Sequence, residues 1–175
     1  YIIVQLKNGD LKILNRRGED RIVVENKVQY NDNTVYSYLG SFTTSDNQGN
    51  LIQIDTNGNF KRNNLNLSEN SMINIFDDKL IYISEDILSI KGIDVKLPVG
   101  RYSKPKIFNI SRNFFVGTTD LNDNNIYLFN DSGELVKGFP LKGSSSYDLI
   151  DSDMDGKLEI ISKIDNFSIV SYEIN

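Results

Sequence analysis

The sequence predicts an all-β fold, and three observations support this prediction. The chain contains no alanine, the residue with the highest helix propensity, and it is rich in asparagine, which favours turns. Apolar and polar residues alternate along short stretches such as 11–14 and 51–55, as is typical of strands with one buried face. Glycine-containing turns separate such stretches. AT-rich codon usage also depletes alanine and enriches asparagine, and we expect both causes to act.

A four-stranded unit repeats along the chain. Five stretches align as a strand, a polar turn and a second strand, and in the first four a tight turn follows. A glycine in that turn supplies the positive φ that such a turn requires. The glycines, separated by 40, 34 and 41 residues, are Gly18, Gly58, Gly92 and Gly133. One further strand is predicted between successive stretches, at 34–39, 71–76, 105–110 and 146–150. The unit therefore has four strands, named A to D in chain order.

This repeat predicts a β-propeller. A four-stranded antiparallel unit of about 40 residues is the signature of a propeller blade. One small twisted sheet cannot bury both of its faces, whereas stacked sheets bury the apolar side chains between them. We predict a single propeller region over residues 1–175. Its blades are expected at 1–26 (partial), 27–68, 69–103, 104–144 and 145–175 (partial).

The two partial blades do not complete each other. The first begins at strand B, and the last ends after strand C. Ring closure normally removes exposed sheet edges by building one blade from both ends of a chain. We therefore expect a C-terminal part of a larger ring, whose last D strand comes from a preceding segment. A small closed ring of four to five blades is the alternative.

The composition excludes several classes of function. The absence of cysteine and histidine removes disulfides, thiolate or imidazole metal sites, and Ser–His or Cys–His nucleophiles. A formal charge of −5 and a pI of about 4.8 argue against a nucleic-acid partner, which usually requires a basic face. No stretch approaches the roughly 18 apolar residues of a membrane span. We predict no catalytic residues, no nucleic-acid partner and no spanning segment.

Residues 151–159 have the pattern of a calcium loop. Acidic side chains occupy positions 1, 3 and 5, a glycine at position 6 permits a sharp bend, and a glutamate follows at position 9. Calcium takes six to eight oxygen ligands, and a bound cation converts the mutual repulsion of the carboxylates into attraction. The predicted ligands are Asp151, Asp153, Asp155, the backbone carbonyl of Lys157, and Glu159.

An EF-hand does not fit these residues. An EF-hand requires a bidentate glutamate at position 12 and flanking helices, but position 12 is Ser162 and residues 158–161 alternate like a strand. A calcium-binding β-hairpin loop remains as the prediction. The alternative is a solvated acidic turn that no longer binds a metal ion.

The motif Asp-x-Asp-x-Asp-Gly-x-x-Glu before an isoleucine-rich strand resembles the calcium loop of FG-GAP and VCBS-type propeller repeats. The stretch 130–141, with Gly-Phe-Pro-Leu at its end, resembles a C–D hairpin of bacterial extracytoplasmic propellers. The resemblance covers residues 126–175 clearly. It implies that the loop joins strands A and B and that Ca²⁺ pins this hairpin. The corresponding turns at 77–78 and 109–113 lack the motif, so we expect calcium in one blade only.

Two weaker candidates complete the survey of sites. Residues 120–125 offer oxygens at alternating positions in a B–C turn but contain no glycine, so a polar turn is favoured over a metal site. A set of tyrosines is a candidate for an exposed sugar- or protein-binding surface, with packing between blades as the favoured alternative. These tyrosines are Tyr30, Tyr36, Tyr38, Tyr102 and Tyr147.

These features favour a non-catalytic propeller that binds proteins or organises an assembly, because propellers present rigid faces whose loops carry function. The resemblance places it in the periplasm, at the cell surface or outside the cell. The alternative is a carbohydrate-binding propeller or part of a polysaccharide-active enzyme. Such an enzyme would need two carboxylates, of which Asp148 and Glu85 are candidates.

Overall fold

The computed structural model describes residues 1–29, 34–110 and 113–174, and every regular element in these ranges is a β-strand. The 18 strands of this described part form five antiparallel sheets. None of these residues belongs to a helix long and apolar enough to cross a membrane. The prediction of an all-β fold is confirmed.

Three sheets contain four strands, each paired in chain order. The second sheet comprises β4 (Tyr36–Tyr38), β5 (Ser41–Ser45), β6 (Asn50–Ile54) and β7 (Phe60–Asn64). The third comprises β8 (Met72–Phe76), β9 (Lys79–Ser84), β10 (Ile87–Ile90) and β11 (Ile93–Lys96). The fourth comprises β12 (Lys106–Ile110), β13 (Asn113–Asp120), β14 (Asn125–Asn130) and β15 (Leu141–Lys142). The predicted unit of four antiparallel strands is confirmed.

The first and last sheets contain three strands each. The first comprises β1 (Ile2–Gln5), β2 (Leu11–Leu14) and β3 (Asp20–Ile22). The last comprises β16 (Asp148–Ile150), β17 (Leu158–Lys163) and β18 (Ile169–Ile174). Within the described ranges, β1 pairs only with β2 and β18 pairs only with β17.

The A strands lie where the alternation predicts them. The strands β4, β8, β12 and β16 fall inside the predicted ranges and are one to three residues shorter. The second and third sheets turn from strand A to strand B through two residues with positive φ. These are Leu39 and Gly40 (48° and 71°), and Asp77 and Asp78 (49° and 54°). Two consecutive residues in the left-handed conformation reverse the chain direction within a tight turn, and strand A therefore ends there.

The predicted glycine turns are also present. The four glycines have φ values of 81°, 88°, 87° and 78°, in the order Gly18, Gly58, Gly92 and Gly133. Only a residue without Cβ adopts this conformation at little cost. The turn glycines therefore set the interval at which strand C passes into strand D.

The chain divides into two compact units, Tyr1–Leu80 and Ile81–Asn175, and the division falls within β9. Each unit has a core of buried apolar residues, most of which lie on strands. The core of the first unit contains Leu11, Ile13, Ile22, Val28, Ile52 and Ile54. The core of the second contains Phe108, Ile126, Leu128, Tyr147, Leu149 and Ile160. The single region over 1–175 and its blade boundaries stay predictions.

Candidate functional site

The acidic loop joins β16 to β17, the A and B strands of the last sheet. Ile150 pairs with Glu159 in the antiparallel register, and residues 151–157 project between them. The A–B turns of the second and third sheets span two residues only. This loop is therefore an insertion in an otherwise tight hairpin, at the place that the resemblance implies.

Three of the predicted ligands meet in this loop. Carboxylate oxygens of Asp151, Asp153 and Glu159 all lie within 4.8 Å of one another. The two aspartates are exposed, whereas Glu159 is 8% exposed. In the described part of the chain, no lysine or arginine nitrogen lies within 4.0 Å of these three carboxylates. The cluster is thus a concentration of negative charge without a protein counter-ion.

The loop backbone holds these side chains in place. Gly156 N–H donates to Asp151 Oδ2 at 3.0 Å, and Asp155 N–H donates to Asp153 Oδ1 at 3.2 Å. The N–H and the Oγ of Ser152 both donate to Glu159 Oε2, at 2.7 and 2.8 Å. These bonds engage one oxygen of each clustered carboxylate and leave the second oxygen available to a ligand.

Two residues in this loop have positive φ. Gly156 has φ of 88°, as expected for position 6, and Met154 has φ of 63° with its side chain almost fully exposed. A non-glycine residue in this conformation costs about 1–3 kcal/mol and persists only where its surroundings impose it. The alternating side-chain bonds of the loop impose it here.

The fourth predicted carboxylate, Asp155, lies outside the cluster. Its Oδ1 accepts the Lys157 N–H at 2.8 Å, and its Oδ2 is 3.6 Å from Lys157 Nζ. Lys157 Nζ also donates to Glu173 Oε2 on β18 at 2.8 Å. Glu173, followed by Asp155, raises the pKa of the Lys157 ammonium above its ordinary value. Sequence reasoning assigned Lys157 only through its carbonyl and missed its side chain.

The donor set suits a hard divalent cation. All side-chain ligands are carboxylate oxygens, which calcium prefers, and one of them, Glu159, is buried without a positive partner. A buried unpaired carboxylate is costly in the absence of a cation. The residues present therefore fit a calcium ion.

The weaker candidates are placed differently. Asp120 ends β13 and is fully buried; its Oδ1 accepts the Asn122 N–H at 2.9 Å, as in a polar turn. Asp148 forms an ion pair with Lys106, and Glu85 lies in the turn between β9 and β10. Asp148, one of the two carboxylates considered for hydrolysis, is thus neutralised by a lysine.

Tyr102 and Tyr147 are 5% and 3% exposed, so they agree with the favoured packing role and not with the weaker alternative of an exposed binding surface. Tyr147 stacks on Phe108 at a centroid distance of 5.6 Å and donates through its hydroxyl to Tyr127 O at 2.6 Å. Burial raises the pKa values of both phenols. Each buried ring contacts another aromatic ring, Tyr102 against Tyr127 and Tyr147 against Phe108, so both contribute to packing.

Of the other candidate tyrosines, the two within the described residues are not exposed. Tyr36 and Tyr38 are half-buried, and the Tyr36 hydroxyl donates to Ile73 O at 2.9 Å. Tyr30 lies outside the described residues, as do positions 111–112 of the turn at 109–113.

An exposed apolar surface lies instead at the tip of the β17–β18 hairpin. Phe167 and Ile169 are 99% and 75% exposed, and Ile164 is also exposed. Two hydrogen bonds close the turn: Ile164 N–H donates to Ser168 O at 3.0 Å, and Phe167 N–H donates to Asp165 Oδ1 at 2.7 Å. We call residues 164, 167 and 169 the apolar tip. Sequence reasoning missed it, although phenylalanine in a polar turn is a visible signal.

No protein-family model matches the chain, and no curated protein matches it. Several solved structures are similar to it, among them the following two. A streptogramin B lyase structure has a TM-score of 0.51 and 18% sequence identity, covering 95% of this chain and 62% of that chain. BamB from Moraxella catarrhalis has a TM-score of 0.50 and 18% identity, covering 82% and 44%. The chain thus spans less than two thirds of either protein.

At this identity the comparisons show the fold alone. Both similar structures are β-propellers, and the described sheets of this chain have the antiparallel four-stranded form of propeller blades. The chain therefore has a β-propeller fold.

Proposed function

We propose that the chain is part of a non-catalytic, calcium-binding propeller of FG-GAP/VCBS type that acts as a protein-binding or assembly scaffold outside the cytoplasm. The observation that supports it best is the convergence of Asp151, Asp153 and Glu159 at one A–B turn. The ligand set would be these three carboxylates, Asp155 and the Lys157 carbonyl. A bound calcium ion supplies charge neutralisation and a fixed centre for these oxygens.

The role of the site is structural in this proposal. The clustered residues belong to one hairpin, whereas the A–B turns of the second and third sheets, at Leu39–Gly40 and Asp77–Asp78, are two-residue turns with positive φ. A long acidic insertion cannot close in that way, because its carboxylates repel one another. An ion at this position holds the longer loop in a single conformation.

The exposure of the loop supports the proposed extracytoplasmic location. Asp151 and Asp153 are open to solvent, so several coordination positions of an ion would be filled by water. Open sites of this type bind calcium weakly, and extracellular modules work at roughly 10⁻⁴–10⁻³ M. Such a site would be filled where calcium is abundant, which supports a location outside the cytoplasm.

The scaffold role is supported by the apolar tip. A fully exposed phenylalanine beside an exposed isoleucine leaves apolar area in water, and clustered exposure of this kind marks contact sites for other proteins. The chain contains neither histidine nor cysteine, so it lacks the imidazole base and the thiol nucleophile that many enzymes use. A rigid propeller with exposed apolar anchors suits binding better.

Calorimetric titration with CaCl₂ tests the calcium site. We expect one ion per chain in the wild type, and no binding in Asp153→Ala, which removes a central ligand. Glu69→Gln is a charge-matched control, because it removes one carboxylate outside the loop. Equal binding by wild type and Asp153→Ala would exclude the site.

A separate experiment tests the scaffold. Three immobilised proteins are compared: the wild type, the double variant Phe167→Ser/Ile169→Ser, and the exposed-apolar control Val99→Ser. Each is incubated with the soluble proteins of the source cells and, separately, tested on a glycan array. Retention of the same proteins by wild type and Val99→Ser, with loss in the double variant, supports the proposal. Binding to glycans that the double variant retains would favour the carbohydrate-binding alternative.

A further inference from the structure

The ammonium of Lys157 lies between the acidic loop and the last strand. Lys157 Nζ is 2.8 Å from Glu173 Oε2 on β18 and 3.6 Å from Asp155 Oδ2. The Lys157 N–H occupies the other oxygen of Asp155 at 2.8 Å. Both carboxylate oxygens of Asp155 thus face the same lysine, whereas the three clustered carboxylates have no cation beside them.

The side chain of Lys157 is not needed as a ligand. At position 7 only the backbone carbonyl is offered to an ion, so the ammonium adds a positive charge without adding an oxygen. A divalent cation in the cluster and this ammonium would both attract Asp155. Because they have the same sign, they compete for it.

Glu159 is the buried carboxylate of the cluster. Glu159 is 8% exposed, its carboxylate faces the cluster, and its only hydrogen-bond donors in the described structure belong to Ser152. A buried carboxylate without a positive partner favours cation entry. The loop therefore contains one carboxylate neutralised by lysine and three that are not.

We propose that Lys157 is the internal counter-ion of this loop. Its ammonium neutralises Asp155 in the cation-free state, and binding of a divalent cation transfers Asp155 from the ammonium to the ion. Glu173 retains the ammonium in both states, so the displaced charge keeps a partner. This inference rests on the proposed calcium site and adds a residue that sets its affinity.

The inference predicts opposite effects of Lys157→Gln in the two states. With chelator present, the variant melts at a lower temperature than wild type, because Asp155 and Glu173 lose their counter-ion. In calorimetry it binds Ca²⁺ about two- to fivefold more tightly, as expected from the removal of one half-exposed ion pair that competes with the ion. The backbone carbonyl at position 157 is unchanged in this variant.

Two controls separate this effect from a change in net charge. Lys163→Gln removes an equal charge from the far end of β17. The double variant Lys157→Gln/Asp155→Asn is compared with Asp155→Asn alone. In both proteins the carboxylate for which the ammonium competes is absent. We expect Lys157→Gln to increase the calcium affinity more than Lys163→Gln does. In the Asp155→Asn background, we expect the increase caused by Lys157→Gln to be no larger than that caused by Lys163→Gln.

Equal gains from Lys157→Gln and Lys163→Gln, or an undiminished gain in the Asp155→Asn background, would overturn the inference and leave the calcium site intact. An absence of calcium binding by the wild type would overturn the calcium site itself. The melting temperatures in chelator give a readout that does not depend on binding.

Discussion

Asn130 donates through Nδ2 to Glu134 Oε2 over 2.8 Å and so closes the turn that follows β14. In the turn after β6 the donor and acceptor are exchanged, because Asn59 Nδ2 donates to Asp55 Oδ2 over 2.7 Å. Each turn thus pairs one amide with one carboxylate, five residues being spanned in both cases. Either the amide or the carboxylate can come first in the sequence, but in both turns an amide donor faces a carboxylate acceptor.

Two further turns have the same construction. The contact is 2.8 Å between Asn15 and Glu19, and 2.9 Å between Asn50 and Asp46. In all four turns the first side chain also accepts the N–H groups two and four residues later through Oδ1, and a positive-φ glycine stands at the fourth position. The side chain at the first position of each turn therefore fixes the backbone conformation, and the side chain at the fifth position holds the first one in place by a hydrogen bond.

This complementarity predicts a rescue. Asn130→Asp places two carboxylates 2.8 Å apart, and we expect it to destabilise the protein by about 1 kcal/mol, since a hydrogen bond is replaced by repulsion. Adding Glu134→Gln restores an amide–carboxylate pair in the order seen at Asp55 and Asn59. Urea denaturation should show most of the lost free energy of unfolding recovered.

The single variant Glu134→Gln is the control for this cycle. It retains an acceptor for Asn130 and should cost only a few tenths of a kcal/mol, because an exposed charge-assisted bond contributes little more than a neutral one. Additive effects of Asn130→Asp and Glu134→Gln would contradict the complementarity.

These turns explain why so much of the fold could be predicted from the sequence. A polar residue, a glycine three positions later and the alternation on either side are all local signals, and they mark where strands end. The A strands were found for the same reason. Local hydrogen bonds and side-chain alternation depend on neighbouring residues that the sequence displays directly.

The features that the sequence left undecided or did not reveal depend on contacts between distant residues. Tyr147 is buried because its ring stacks on Phe108 and its hydroxyl reaches Tyr127, 39 and 20 residues away. The ion pair of Lys157 with Glu173 depends on the register of β17 and β18. An aromatic residue near a strand end, or a lysine in a loop, looks the same in the sequence whether or not such a partner exists.

Gly49 is predicted to be the glycine least tolerant of a side chain among the positive-φ turns described here. Its φ is 83°, and a Cβ would lie 2.4 Å from Leu67 O and 2.8 Å from Leu67 N. Gly92 has φ of 87° with open space around it. We expect Gly92→Ala to cost about 1–2 kcal/mol for the left-handed conformation alone.

Gly49→Ala should cost that amount and a further 1–3 kcal/mol, because the backbone of Leu67 must move. Denaturant titration of the two variants provides the comparison, and Gly92→Ala controls for the φ strain. Equal losses in the two variants would show that the approach of Leu67 is unimportant.

Asp55 gives one turn a dependence on pH. Its side-chain hydrogen bond from Asn59, followed by backbone N–H donors, lowers the pKa of the carboxyl. A depressed pKa in the folded state contributes stability above the unfolded value, and this contribution is lost as the pH falls below about 4 through the folded value. Wild type should therefore exceed Asp55→Asn in unfolding free energy at pH 6.

That difference should narrow as the pH falls below about 4, because protonation of Asp55 leaves the two proteins with the same charge at this turn. Asp94→Asn, an exposed aspartate on β11 outside such a turn, serves as the matched control. A difference between wild type and Asp55→Asn that stays constant from pH 6 to pH 3 would contradict the assignment.

Asp153→Asn should change the sign of its effect with calcium. In chelator it should melt no lower than wild type, because it removes one of three crowded negative charges and retains an acceptor for the Asp155 N–H. In saturating calcium the wild type gains RT ln(1 + [L]/Kd), about 2.7 kcal/mol at one hundred times Kd, and the variant does not.

For a chain of this size, that gain corresponds to a rise of roughly 5–10 °C in the melting temperature. Differential scanning calorimetry of both proteins, in chelator and in calcium at one hundred times the Kd found by titration, measures all four values, and magnesium at the same concentration controls for ionic strength. Parallel shifts in wild type and Asp153→Asn would place any calcium effect outside this loop. If Asp153→Asn is at least as stable as wild type in chelator and less stable in calcium, then the carboxylates that repel one another without the ion are also the groups that bind it.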